Sequence, residues 1–122
     1  MKIRGILVST NGEVKEAEIE DSLESFYSTL ECDLIDCTVR EINVEFYDIV
    51  CDDEGLFKEH PVVTAVSGFL KPALVGNLFI CRHNDDGEWT SLSDDDVKRI
   101  MRTVIHTFNV DDRSERDVIW LI

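Results

Sequence analysis

The sequence predicts an α+β domain: an antiparallel sheet of about five to seven strands, with two helices, over about 22–30 and 94–108, mainly on one face. Three observations predict it. Extended, β-rich segments outnumber helical ones. Turn signals (Asn11-Gly12, Glu54-Gly55, Asp86-Gly87) separate them at short intervals, and short connections favour antiparallel pairing. Two stretches place apolar residues at i, i+3, i+4 behind a capping box. With 122 residues, 43% of them apolar, and only 6 Gly and 2 Pro, the chain reads as one domain over 1–122 rather than a disordered, collagenous or repeat protein.

The elements follow in order. Lys2–Val8 is a strand, Asn11-Gly12 a hairpin turn that tolerates positive φ, and Glu13–Ile19 the return, with Glu16, Glu18 and Glu20 on one face and Ala17 and Ile19 on the other. Asp21-Ser22-Leu23-Glu24 reads as a capping box with Asp21 as N-cap, and Leu23, Phe26, Tyr27 and Leu30 make one helical face. Asp33–Val39 and Glu41–Val50 are strands. In the second, Ile42, Val44, Phe46 and Val50 are expected inside and Glu41, Asn43, Glu45 and Tyr47 outside. Asp52-Asp53-Glu54-Gly55 is a turn before a short return at Leu56-Phe57-Lys58. Val62–Val66 reads as a strand and the rest of 60–76 as a loop crossing the sheet edge.

Leu78–His83 is a strand, Asn84-Asp85-Asp86-Gly87 a turn, and Glu88-Trp89-Thr90 the start of the return. Ser93 caps the longest helix with Asp96 at N3, and Asp94, Asp95 and Asp96 complement the positive end of the dipole. Val97, Ile100, Met101, Val104, Ile105 and Phe108 form its apolar stripe, and Asp94–Lys98 and Asp95–Arg99 are i, i+4 pairs. Val110–Arg116 is a polar linker and Asp117–Ile122 a last strand.

Charge is the strongest functional signal. Asp and Glu number 26 against 12 Lys and Arg, a net charge of −14, and residues 13–59 hold 16 of the acids against Lys15, Arg40 and Lys58. So acidic a chain is not expected to bind nucleic acid directly or to adhere to an anionic membrane. Three readings of the acids stand: a solubilising surface, an anionic face that imitates a nucleic-acid backbone, or clustered carboxylates that bind a cation. On a strand, residues i and i+2 lie roughly 6.6 Å apart on one face, so Glu16, Glu18 and Glu20 would repeat at about the step of successive phosphates. Glu41, Glu45, Asp52, Asp53 and Glu54 would extend this partner-binding face, with Tyr47 among them as an anchor.

Catalytic and metal motifs are weak. Cys32-x4-Cys37 does not match short zinc-knuckle spacings, and Cys37 and Cys81 fall on apolar strand faces, where free cysteine behaves as a small hydrophobe. Cys81 and His83 share a strand face and are the one pair on which an enzyme or metal reading rests. His106 falls on the solvent side of the long helix, the Asp-rich turns lack the bidentate Glu of a calcium loop, and no Gly-rich phosphate loop exists. Trp89 and Trp120 read as sheet-packing residues. No catalytic residue, metal or cofactor is expected. The first apolar run stops at Ser9, short of a signal-peptide core, and no stretch approaches ~18 apolar residues. Four cysteines without a leader point to reduced thiols in a cytoplasm.

The run Leu74-Val75-Gly76-Asn77-Leu78-Phe79-Ile80-Cys81, a turn, and then Glu88-Trp89-Thr90-Ser91-Leu92-Ser93-Asp94-Asp95-Asp96-Val97 resembles a family of small uncharacterised proteins found on phages, plasmids and other mobile elements of bacteria. Asp48–Leu56 and Glu18–Glu24 add to the likeness, while residues between Asp33 and Glu45 and the tail after Phe108 depart from it. The resemblance implies a mobile-element context and carries no catalytic residue. With the charge it leads to an expected function: a non-catalytic protein that mimics nucleic acid and occupies the basic channel of a host defence nuclease, in restriction or CRISPR immunity. The alternatives are a generic acidic interaction or regulatory domain, and a Cys/His metal protein or enzyme.

Overall fold

A computed structural model describes residues 1–54, 61–109 and 113–121, with the backbone alone at Asn109. In chain order the elements are β1 (Lys2–Val8), β2 (Val14–Glu20), α1 (Leu23–Leu30), β3 (Ile35–Ile42), β4 (Glu45–Asp52), β5 (Val63–Ser67), β6 (Lys71–Val75), β7 (Leu78–His83), β8 (Trp89–Thr90), α2 (Asp94–Met101), β9 (Val104–Asn109) and β10 (Ser114–Leu121). The fold is α+β, as predicted, but among the described residues the strands form two sheets. Sheet A runs β2-β1-β7-β4-β3, with β8 on β7, and is antiparallel throughout. Sheet B runs β6-β5-β10-β9 and contains one parallel pair, β5 with β10.

Both faces of sheet A are covered, which corrects the expectation that the helices share a face. On β1, Ile6 and Val8 point one way and Ile3 and Leu7 the other; on β7, Leu78 and Ile80 oppose Phe79 and Cys81. The first set packs against Ile100 of α2 and Ala65, Ile119 and Leu121 of sheet B. The second packs against Phe26 and Leu30 of α1. The order is therefore α1, sheet A, then sheet B with α2. On the α1 side, Phe26 sits edge-on to Phe79 at 5.8 Å and against Trp89 at 4.7 Å between ring centroids. Gly5 lies beneath this cluster: a Cβ there would come within 2.4 Å of the Ile80 carbonyl oxygen, so only glycine fits.

Three local readings change. The expected strand Glu41–Val50 is interrupted at Asn43 and Val44, both at positive φ (50° and 80°), and these form a two-residue turn joining β3 to β4. Ile42 pairs with Glu45, so the alternation inverts after the turn: Tyr47 and Ile49 share Ile42's inner face, and Phe46 is exposed. The expected 94–108 helix stops at Met101. Thr103 donates from both its backbone N–H and its hydroxyl to the Ile100 carbonyl, and Val104–Asn109 then runs as β9. The β-branched series Thr103, Val104, Ile105 and Thr107 favours the strand over continued helix. In α1 the N-cap is Ser22, one residue later than expected, and Leu23 is exposed while Phe26 and Leu30 are buried.

Lys71–Val75, expected as loop, is a strand, and Ser114–Arg116, expected as linker, begins β10. The predicted strands at Val62–Val66, Leu78–His83 and Trp89–Thr90 form as β5, β7 and β8 within a residue or so. The short return expected at Leu56-Phe57-Lys58 lies outside the described residues.

Candidate functional site

The nine acidic and aromatic positions expected to form one face separate into three places. Glu16, Glu18 and Glu20 stand in a row on β2, an outer strand of sheet A, on the face opposite Ala17 and Ile19, as alternation requires. Glu41 and Glu45 lie near the β3–β4 turn at the other side of the sheet. Because that turn inverts the alternation, they point to opposite faces. Asp52, Asp53 and Glu54 lie at the far end of β4 from Glu45. Asp52 is nearly buried and accepts the Glu54 N–H at 2.9 Å, a local turn bond.

The β2 row is extended by the start of α2. The Ser91 hydroxyl accepts the Arg4 N–H at 2.9 Å, and the Leu92 N–H donates to the Arg4 carbonyl at 2.9 Å, which straps the chain before α2 to β1. Arg4 then bridges two acids, donating through Nε to Glu16 and through Nη1 to Asp94 at 2.7 Å. Hydrogen bonds to Glu16 first and then Asp94 raise the Arg4 guanidinium's pKa. The amino terminus lies 3.7 Å from Glu20. Between β2 and α1 runs an open groove of about 550 Å³, lined by Glu18, Glu20, Glu24, Ser25, Ser28 and Thr29. Carboxylates and hydroxyls at this spacing accept hydrogen bonds from cationic side chains.

Tyr47 is not the exposed anchor expected from the sequence. It is 1% exposed, and its hydroxyl donates to Asp96 Oδ1 at 2.8 Å. Arg99 Nη1 donates to the same hydroxyl at 3.0 Å, and Arg82 lies over the ring at 4.7 Å from its centroid. Asp96 is the hub. It closes the Ser93 capping box and takes a two-pronged bond from Arg82, at 3.0 Å from Nε and 2.7 Å from Nη2. The Arg82 bond foremost, with those from Ser93 and Tyr47, holds the Asp96 carboxyl well below the usual range. The predicted Asp94–Lys98 and Asp95–Arg99 pairs are not the ones that form: Asp94 goes to Arg4, and Arg99 to Tyr47 and Asp96.

Cys81 and His83 do share the α1 face of β7, but their partners differ from a nucleophile–base pair. His83 Nδ1 lies 2.8 Å from Asp48 Oδ2, a buried carboxylate that sequence reasoning missed because the inverted register of β4 brings it there. Cys81 is fully buried, and burial pushes its thiol far up. Burial likewise pushes Cys51 up to about 11. Thiols so raised are protonated at neutral pH, the reverse of what a nucleophile needs. Cys37, expected on the apolar side, is exposed. His106 is exposed as expected, though on β9, with Nδ1 2.8 Å from Asp117. Among the described residues no group of three or more His, Cys, Asp or Glu is arranged to hold a metal ion. Among the same residues no helix is long and apolar enough to cross a membrane.

These features define a class: a small two-sheet α+β domain with carboxylates concentrated along one outer strand and the adjoining helix start. Residues 1–105 match the model of the Domain of unknown function (DUF3846), and the chain belongs to that family. The match ends within β9, so β10 lies beyond it. No curated protein and no solved structure matches the chain.

Proposed function

We propose that this chain is a non-catalytic binding protein whose acidic edge engages a basic surface on a partner protein. The observation that carries the reading is the continuous run of carboxylates Glu20, Glu18, Glu16 and Asp94 from β2 to α2, with Glu24 across the adjoining groove. Arg4 offsets one charge, yet it joins two acids, so the edge stays negative and its carboxylates are held in place. A row that repels itself gains stability when a cationic surface neutralises it, which gives association its driving force. The partner class that fits is a nucleic-acid-handling enzyme with a basic channel, since the row repeats at about the phosphate step. The resemblance to mobile-element proteins supports a host defence nuclease in a bacterial cytoplasm as that enzyme. Glu41, Glu45 and the Asp52–Glu54 turn stand apart from the edge and are not assigned to it.

A second reading has its own support. Charged residues on an outer strand protect it from pairing with other chains, and the row on β2 also serves that purpose. The test is capture by the tagged protein from a lysate bearing restriction and CRISPR systems, washed at low and high salt, followed by cleavage assays with the nuclease recovered. The proposal expects a nuclease that added DNA or high salt displaces and that the protein inhibits. A partner that resists salt and handles no nucleic acid would overturn it.

A further inference from the structure

The two outer strands of sheet A are built differently. On β2 the alternate positions Glu16, Glu18 and Glu20 carry one sign, so pairing of that edge with its own copy sets like charges together. On β3 the segment Asp36-Cys37-Thr38-Val39-Arg40, exposed except at the half-buried Thr38, carries opposite charges at equal distances either side of Thr38. Backbone geometry is consistent with pairing there. The two-residue turn makes Ile42–Glu45 a hydrogen-bonded pair, and Leu34 accepts from the Asp53 N–H at 3.0 Å, so even-numbered residues of β3 bond to β4. The N–H and C=O groups of Ile35, Cys37, Val39 and Glu41 therefore point outward. Among the described residues no other strand pairs with that edge. Among the described residues the Cys37 N–H is met by its neighbour's carboxylate, Asp36 Oδ1, at 2.8 Å.

We propose that β3 pairs antiparallel with β3 of a second copy of this chain, two-fold about Thr38, joining the two copies of sheet A edge to edge. In that register the outward-pointing residues become the hydrogen-bonded pairs: Cys37 faces Val39 of the other copy, and Ile35 faces Glu41. Asp36 faces Arg40, and Arg40 faces Asp36, at the closer, non-hydrogen-bonded positions. Val39, 53% exposed in the single chain, is covered on its edge side. Asp36 exchanges the Cys37 N–H for the Arg40 guanidinium, and the freed N–H donates across the new ladder. The interface is small, and each copy carries −14, so the association is concentration-dependent and needs salt enough to screen the net charge while the close pairs persist.

Sedimentation of the full chain from micromolar to near-millimolar concentration at physiological ionic strength tests this. The wild type dimerises. Asp36→Arg and Arg40→Asp each set like charges together at both symmetric pairs and weaken the dimer by about tenfold or more. An equimolar mixture of the two variants restores opposite charges at both pairs and recovers the dimer as a heterodimer. A wild type that stays monomeric throughout, single variants that dimerise as well as the wild type, or a mixture that fails to recover would each overturn the proposal. A second readout needs no charge variant. The two Cys37 residues are diagonal neighbours about 7–8 Å apart, so a short bismaleimide joins them and Cys37→Ser abolishes the product. A cross-linked dimer that survives Cys37→Ser would contradict the register.

Discussion

Asp96 serves two structures at once: it closes the capping box of α2 and receives the guanidinium of Arg82 from the sheet beneath. Replacing it with Asn keeps the shape and removes the charge, leaving Arg82 over Tyr47 with the more distant Glu45 carboxylate, 3.6 Å away, in place of its two-pronged partner. Asp96→Asn is expected to cost about 3 kcal/mol in urea unfolding at neutral pH. Because the folded carboxyl is held below its ordinary 3.8, this contribution is complete above that value and is lost as acidification carries the pH down toward the folded value. His106 has the opposite sign. Its bond to Asp117 raises it above 6.5, so its contribution is present below that pH and lost as pH rises through the folded value. His106→Gln is therefore expected to lower the melting temperature more in mildly acid than in mildly alkaline solution. The capping role of Asp96 is legible in the sequence because Ser93 and Asp96 are three residues apart. Its partners Arg82 and Tyr47 are not, since only the sheet register brings them to it.

At the scale of elements, hydrophobic alternation and turn chemistry were enough to find β1, β2, β5, β7 and the start of both helices. They failed where a turn carried an atypical residue. Val44, β-branched and at φ 80°, occupies a position that glycine favours, so the β3–β4 turn was hidden inside what reads as one alternating strand. That single omission reversed the facing of every residue after it and turned Tyr47 from a core residue into an apparent surface anchor. Val44→Gly is expected to stabilise the protein by about 1 kcal/mol, read as a higher urea midpoint, because it relieves a left-handed conformation at an exposed site. The helix expected over 94–108 failed for a related reason. The spacing of Val97, Ile100, Met101, Val104, Ile105 and Phe108 suits a helix, but Thr103 ties off the turn and the β-branched run after it extends as β9, held by β10.

At the scale of the molecule, the charge excess in residues 13–59 was legible from counting, but its arrangement was not. Sheet order sends Glu16, Glu18 and Glu20 to one side of sheet A and Glu41 and Glu45 to the other, and no spacing along the chain discloses strand order. The edge that remains is compact and contains no residue of either core, so altering it leaves both cores intact. Reversing Glu16, Glu18 and Glu20 to Lys isolates its role. The most direct measurement is DNA cleavage by the captured nuclease, titrated with the wild-type protein and with the Glu16→Lys, Glu18→Lys, Glu20→Lys variant. The wild type should inhibit in competition with DNA, and the variant should need about tenfold more protein or fail altogether. Inhibition that is equal for the two proteins, or that excess DNA does not relieve, would contradict the assignment of the acidic edge as the binding surface.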